Sequence, residues 1–264
     1  MLTEPTLDKL KELSLYGMAE TYLEQQRKPS AGGLSFEDRF GLLVDAEWML
    51  RQNKRLKRRL SEAKLRLTNA AIEDVDTAAA RGLERAALLR MASCVFIEDK
   101  LNILISGPTG TGKTFLACAL AQQACRKGYR ALYRRASRLY EELALARADG
   151  TYPKLLSRLL RIDVLVLDDF GLSAMRDADR QGLLDVLEDR YGNATTIVTS
   201  QPPPKTWHEY LGDPTVADSI CDRLVHNAHR VELKGPSRRR DAARGTYRAN
   251  STADPAAAAP GMDA

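Results

Sequence analysis

Gly107-Pro108-Thr109-Gly110-Thr111-Gly112-Lys113-Thr114 lies between an apolar run, Leu101-Asn102-Ile103-Leu104-Ile105, and a helix-forming stretch from Phe115 to Lys127. The fixed letters of this octapeptide would fall at their spacing by accident in roughly one chain in a hundred of this length, and the strand and helix flanks make accident rarer. Its chemistry is geometric. A triphosphate needs several donors aimed at one point with no side chains in the way. Gly107, Gly110 and Gly112 allow the backbone to approach, and the amides and the start of the following helix face the anionic oxygens. Pro108, Thr109, Thr111 and Phe115 complete the cradle, Lys113 supplies a point charge for the β- and γ-phosphates, and Thr114 offers its hydroxyl to a bridging Mg2+ ion. The competing reading, a glycine-rich turn and nothing more, does not account for the flanks. The expectation is ATP with Mg2+.

Outward from the loop, the chain alternates strand and helix signals from about residue 71. Strands are expected at 101–106, 129–134, 163–168, 195–200 and 230–233, and helices at 113–127, 137–148, 176–191 and 217–227. This alternation predicts an α/β fold of three layers with a mainly parallel sheet. The first seventy residues read instead as a small all-helical module, split by the loop Pro29-Ser30-Ala31-Gly32-Gly33. Ser35 with Asp38 marks the start of its long helix, and Phe36, Phe40, Leu43, Trp48, Leu56 and Leu60 form a stripe read as internal core in preference to a partner groove. The expected organisation is a helical module at 1–70, an ATPase domain at 71–248 and a disordered tail at 249–264.

Val164-Leu165-Val166-Leu167-Asp168-Asp169 is a buried-strand signal that ends in two carboxylates, at the sheet edge where α/β proteins hold ligands. Asp168 is the candidate for the metal, and Asp169 for orienting or deprotonating the attacking water.

The 264 residues are 44% hydrophobic, enough for a packed core, and no apolar run reaches the roughly 18 residues that cross a bilayer. With no secretory signal at Met1-Leu2-Thr3-Glu4-Pro5, the expectation is a cytoplasmic protein without membrane contact. Cys94, Cys118, Cys125 and Cys221 show no metal spacing and read as small core hydrophobes, and His226 and His229 as solvated.

The net charge of +5 is modest but unevenly spread. Arg51, Lys54, Arg55, Lys57, Arg58, Arg59, Lys64 and Arg66 meet one acid, Glu62; Arg126, Lys127, Arg130, Arg134, Arg135 and Arg138 meet none within their own run. A third cluster comprises Lys234, Arg238, Arg239, Arg240, Arg244 and Arg248. Such excess is the footprint of a phosphate-backbone partner. The candidate nucleic-acid contacts are Arg51, Lys54, Arg55, Lys57, Arg58, Arg59, Arg130, Arg134, Arg135 and Arg138. Each run taken alone also fits a solvated face.

Together these features resemble the P-loop AAA+ ATPases, and within them the IstB-like helper proteins of insertion sequences, relatives of the helicase loader DnaC. The resemblance runs from about residue 7 to 240 and is carried by Leu7 to Met18, Ala46-Glu47, Ile105 to Thr114, Asp168-Asp169-Phe170-Gly171-Leu172, Leu187-Glu188-Asp189-Arg190-Tyr191, Thr199-Ser200-Gln201 and Cys221-Asp222-Arg223-Leu224. It implies that Gln201 is the sensor aligning water against the γ-phosphate. It implies further that Arg223 is an arginine finger completing a neighbouring subunit's site, and that Arg239 is a second sensor. The chain departs from many AAA+ proteins in having Asp169 where glutamate is common, and in the Pro202-Pro203-Pro204 run after the fourth strand. The implied activity is DNA-stimulated ATP hydrolysis by a homo-oligomer that recruits or activates a transposase. A DnaC-like helicase loader and a non-hydrolysing adaptor that uses ATP only to assemble are the alternatives.

Overall fold

The computed structural model describes residues 3–27, 33–78, 81–172 and 175–237. Arg239, the tail at 249–264 and the basic residues from Arg238 to Arg248 lie outside the described residues. The chain divides into two compact units, Met1–Glu62 and Ala63–Ala264. Residues 63–70, grouped with the helical module by the sequence pattern, fall in the second unit. There Leu65 and Ala70 are buried, and Gln122 Nε2 donates to the Thr68 carbonyl at 3.0 Å.

The first unit consists of α1 (Thr3–Glu12), α2 (Tyr16–Arg27) and α3 (Phe36–Ala63). Ser35 caps α3 as its sequence predicts: its hydroxyl accepts from the Asp38 amide at 3.1 Å and donates to the Asp38 carboxylate at 2.8 Å. Inside this unit a buried carboxylate replaces the capping side chain that α2 lacks. Glu47 of α3 accepts from the amides of Gly17 (2.8 Å) and Met18 (3.4 Å) at the start of α2, and from Arg51 Nε at 2.7 Å.

That crossing requires glycine at position 17, because a Cβ there would sit 2.8 Å from the Ala46 carbonyl oxygen and the Glu47 Cα. Gly17→Ala is therefore expected to destabilise the unit by about 1–3 kcal/mol. Gly41→Ala, on a helical position with nothing within 4 Å of the added carbon, should stabilise it by about 0.4–1 kcal/mol. Thermal unfolding of the two variants reads the difference, and equal midpoints would remove the close approach from the account.

The stripe on α3 is not the internal core that its spacing predicts. Phe36, Phe40 and Trp48 are 69%, 50% and 61% exposed, while Leu56 and Leu60 are half-buried. The helix turns Glu47, not the aromatic residues, toward α2, and Phe36 and Phe40 stack on one another with ring centroids 6.0 Å apart.

The second unit is a parallel sheet in the order β2-β3-β4-β1-β5, built from β1 (Asn102–Ser106), β2 (Ala131–Arg135), β3 (Val164–Phe170), β4 (Thr195–Ser200) and β5 (Ala228–Glu232). Its helices are α4 (Arg85–Ala92), α5 (Val95–Glu98), α6 (Lys113–Lys127), α7 (Ala136–Ala148), α8 (Tyr152–Leu160), α9 (Asp177–Arg190), α10 (Trp207–Leu211) and α11 (Pro214–Val225). Leu165 and Leu167 of β3 join Leu139, Leu143, Leu183, Leu187, Ile220 and Leu224 in one buried cluster. Val164 and Val166, at the alternate positions, are equally buried, and α6 packs against the same strand. Burial on both faces explains why β3 and β4 read as unbroken apolar or β-branched runs. All four cysteines are buried free thiols, and His226 and His229 are exposed, as the sequence predicts.

Arg190, in the Leu187–Tyr191 stretch, is 1% exposed with no carboxylate in hydrogen-bond contact. Its guanidinium donates to the Leu159 and Ile162 carbonyls at 2.7 and 2.8 Å, to the Thr195 carbonyl and to the Thr196 hydroxyl, pinning the end of α8 to β4. Burial pulls its pKa down to about 10, which still leaves it charged at neutral pH.

Candidate functional site

β1 delivers the phosphate-binding loop and α6 starts at its last residues, so the loop stands at the C-terminal edge of the sheet. Gly107, Gly110 and Gly112 take φ of 141°, 86° and 105°, which side-chain-bearing residues rarely adopt, and a Cβ on Gly107 would collide with the Leu233 carbonyl. Lys113 is buried, and its ammonium donates to the Gly107 and Pro108 carbonyls at 2.7 and 2.9 Å. It thus lies across the loop that it is expected to serve.

β3 enters the same edge from the other side. The Thr114 hydroxyl is 3.0 and 3.1 Å from the two carboxylate oxygens of Asp168, a fully buried acid. A hydroxyl and a carboxylate at this separation fit a hydrated Mg2+ ion, which takes few protein ligands and leaves its remaining positions to water and phosphate. Among the described residues no group of three or more His, Cys, Asp or Glu could hold a metal ion.

Neighbouring side chains on a regular strand point to opposite faces. Here the register against β4 shifts between Leu167 and Phe170, and Asp169 takes a left-handed φ of 60°. Both carboxylates consequently reach the same guanidinium nitrogen, Arg66 Nη1, at 3.6 and 3.8 Å. Phe170 then anchors the strand end, buried edge-on against Trp207 at 4.6 Å and Tyr210 at 5.4 Å between ring centroids.

Thr199, to which the sequence assigns no role of its own, orients both acids. Its hydroxyl accepts from the Asp169 amide at 3.1 Å and donates to Asp168 Oδ1. Gln201, the expected sensor, follows β4 at the same edge and is exposed, with no hydrogen bond to the described residues. Tyr133 of β2 adds a second unexpected contact, its hydroxyl donating to Asp168 Oδ2 at 2.6 Å. Burial first, and the Asp168 charge next, push this phenol well above its ordinary pKa, so it remains a donor. The tripeptide Thr199-Ser200-Gln201 marks the strand tip in the sequence, but nothing there marks Tyr133 or Arg66.

A narrow recess beside Gly112 is lined by Val75, Leu83, Phe115, Leu116 and Leu233, with Asp76 and Arg81 at its rim. Thr111, Gly112, Phe115 and Leu116 of the loop and its helix line one side of it, and Val75, Leu83 and Leu233 come from segments with no motif of their own.

Arg223 lies far from this edge in its own chain. Its carbonyl accepts from Asn102 Nδ2 at 2.9 Å, at the start of β1, whereas the loop begins beyond the strand's other end, about 15 Å away at ~3.3 Å per residue. Its guanidinium is held by Glu188 at 2.8 Å and by the Ser219 carbonyl at 2.9 Å, and not by Asp218 or Asp222.

The basic runs are less bare than their sequence implies. Arg126, Arg134 and Arg138 meet Glu73, Glu142 and Glu141 at 3.9, 2.7 and 2.7 Å, and Arg135 meets Asp169 at 3.8 Å. On α3, Arg51 and Arg58 pair with Glu47 and Glu62, while Lys54, Arg55 and Lys57 are exposed and form no ion pair among the described residues. Arg59 is half-buried and Arg130 exposed. No helix among the described residues is long and apolar enough to cross a membrane.

With this geometry in hand, comparison with known proteins agrees at the level of sequence and of fold. The family described as IstB-like ATP binding protein matches residues 8–245. A protein of Sinorhizobium fredii named for an insertion sequence and for ATP binding is 47% identical over 241 residues, covering 91% of this chain and 98% of that one. A counterpart from insertion sequence IS1162 of Pseudomonas fluorescens is 46% identical over 206 residues, covering 78% and 89%. Among solved structures, the DnaC helicase loader superposes with a TM-score of 0.51 at 23% identity, covering 63% of this chain and 97% of that one. DnaI does so with 0.54 at 22%, covering 67% and 94%. These structures share the AAA+ P-loop fold. The chain belongs to the IstB-like ATP-binding proteins of insertion sequences.

Proposed function

We propose that this protein hydrolyses ATP, binds double-stranded DNA and assembles with copies of itself to recruit or activate the transposase of its insertion sequence. The observation that carries the reading is the convergence of Lys113, Thr114, Asp168 and Asp169 at one sheet edge while Arg223 faces away from it. Lys113 and the loop amides hold the β- and γ-phosphates. Thr114 and Asp168 would hold Mg2+, which supplies charge neutralisation on the phosphates. Asp169, kept in place by Thr199, accepts the proton of the attacking water, and Gln201 orients that water.

Because Arg223 lies a strand length from its own loop, it serves the nucleotide of an adjoining copy, where a guanidinium neutralises charge on the departing phosphoryl group. The exposed cations Lys54, Arg55 and Lys57 of the first unit, and separately Arg130 of the second, are the residues that meet the DNA backbone. Phe36, Phe40, Val44 and Trp48, four residues apart along α3 and exposed, give the first unit an apolar face suited to a protein partner such as the transposase.

The test is ATP hydrolysis by the purified protein with no DNA, single strands or duplex, at several protein concentrations. Duplex stimulation that grows with protein concentration is expected, and single-strand stimulation with helicase binding would move the reading to a helicase loader. Duplex affinity should fall by about tenfold or more between 50 and 200 mM salt, as release of several counterions requires. A flat salt response would remove the basic face.

A further inference from the structure

The segment leading into the second unit carries a cation with no part in the reading above. Arg66 lies just past the end of α3 at Ala63 and just past Lys64, where the chain turns with φ of 51°. Its Nη1 is 3.6 Å from Asp168 Oδ2 and 3.8 Å from Asp169 Oδ2, and its side chain is 34% exposed. Those are charge contacts and not hydrogen bonds, since both exceed the usual donor–acceptor range. Asp168 already uses Oδ1 for Thr114 and Thr199 and Oδ2 for Tyr133, so Arg66 adds charge to a carboxylate whose hydrogen-bonding capacity is largely filled.

A divalent cation held by Thr114 and Asp168 would place its charge on the same buried carboxylate. Two cations a few ångströms apart on one acid repel, and more strongly where burial lowers the local dielectric. The side chain of Arg66 can yield where the buried acid cannot: it is partly exposed and interacts with the Tyr133 hydroxyl but makes no hydrogen bond to the acids. We propose that Arg66 is a gate on the acid pair, competing with the Mg2+ that accompanies ATP, so that the setting of the 63–70 segment governs how readily metal nucleotide is accepted. The proposal rests on the reading of this site as an ATP and Mg2+ site. Arg66 is a positioning residue in it.

The experiment is binding of a fluorescent ADP analogue to the full chain, titrated with Mg2+ and repeated in EDTA, for wild type, Arg66→Ala and Arg66→Gln. A gate predicts that both variants reach half-maximal Mg2+-dependent binding at about tenfold lower Mg2+, the size expected for like charges near one another at a partly screened site. Binding in EDTA should not improve. Arg66→Gln, which keeps a polar side chain beside Tyr133, guards against a folding defect in Arg66→Ala. An unchanged Mg2+ midpoint in folded variants overturns the gate, and so does loss of binding with and without Mg2+, which would make Arg66 a phosphate ligand. A wild type that binds no analogue at any Mg2+ concentration would overturn the nucleotide reading itself, a separate outcome.

Discussion

Asp169→Asn should hold ATP about as well as wild type yet turn it over about 10²–10⁴-fold more slowly, the range lost when a general base is removed. The substitution keeps the size of the side chain and the left-handed backbone that Asp and Asn both tolerate, so Thr199 can still accept from the residue 169 amide. What disappears is the charge that takes the proton from water. Lys113→Ala should fail at the earlier step, because the ammonium that spans the Gly107 and Pro108 carbonyls is the loop's own point charge for phosphate. Phosphate release and equilibrium binding of a fluorescent nucleotide separate the two defects. Turnover indifferent to Asp169→Asn, beside lost binding in Lys113→Ala, would leave a protein that uses ATP only to assemble.

Mixing two inactive proteins should restore activity. Arg223→Ala is expected to bind nucleotide while offering no guanidinium to a neighbour, and fingers acting in trans are worth about 10³–10⁵ in rate in other phosphoryl-transfer enzymes. Lys113→Ala is expected to bind no nucleotide while keeping its Arg223. A mixed assembly therefore contains junctions in which an intact loop meets an intact finger. Hydrolysis should rise with the total protein concentration and peak at intermediate ratios of the two variants. Absence of recovery at every ratio would confine Arg223 to its pairing with Glu188 inside one chain.

The central site was legible because its signals are local. The loop's glycines, the helix at Lys113–Lys127 and the strand at Thr195–Ser200 are each set by a few consecutive residues, and both elements begin and end where their pattern places them. Short elements escaped: α4, α5, α8 and α10 run from four to nine residues, too few for a helical period to stand out. The roles of Tyr133, Thr199 and Arg66 escaped for another reason. Their task is defined by Asp168, which is 35, 31 and 102 residues away in sequence, and no spacing rule spans a sheet whose strand order is not the chain order. The same non-local pairing hid the acids that meet Arg126 and Arg135, while Arg134 and Arg138 find Glu142 and Glu141 just beyond their own run, so charge runs overstated the bare positive surface. The α3 stripe misled because helical spacing reports which residues share a face and not what covers it.

The left-handed turn at Asp169 restricts which acid can stand there. Aspartate and asparagine enter that backbone region several-fold more readily than other non-glycine residues, whereas glutamate gains no such tolerance. The shorter acid is thus tied to the extra residue in the strand, and lengthening it toward the water would trade reach for conformational strain. On the proposed reading, the tempo of hydrolysis would be in part a property of the main chain, inherited from the way one strand loses step with the next.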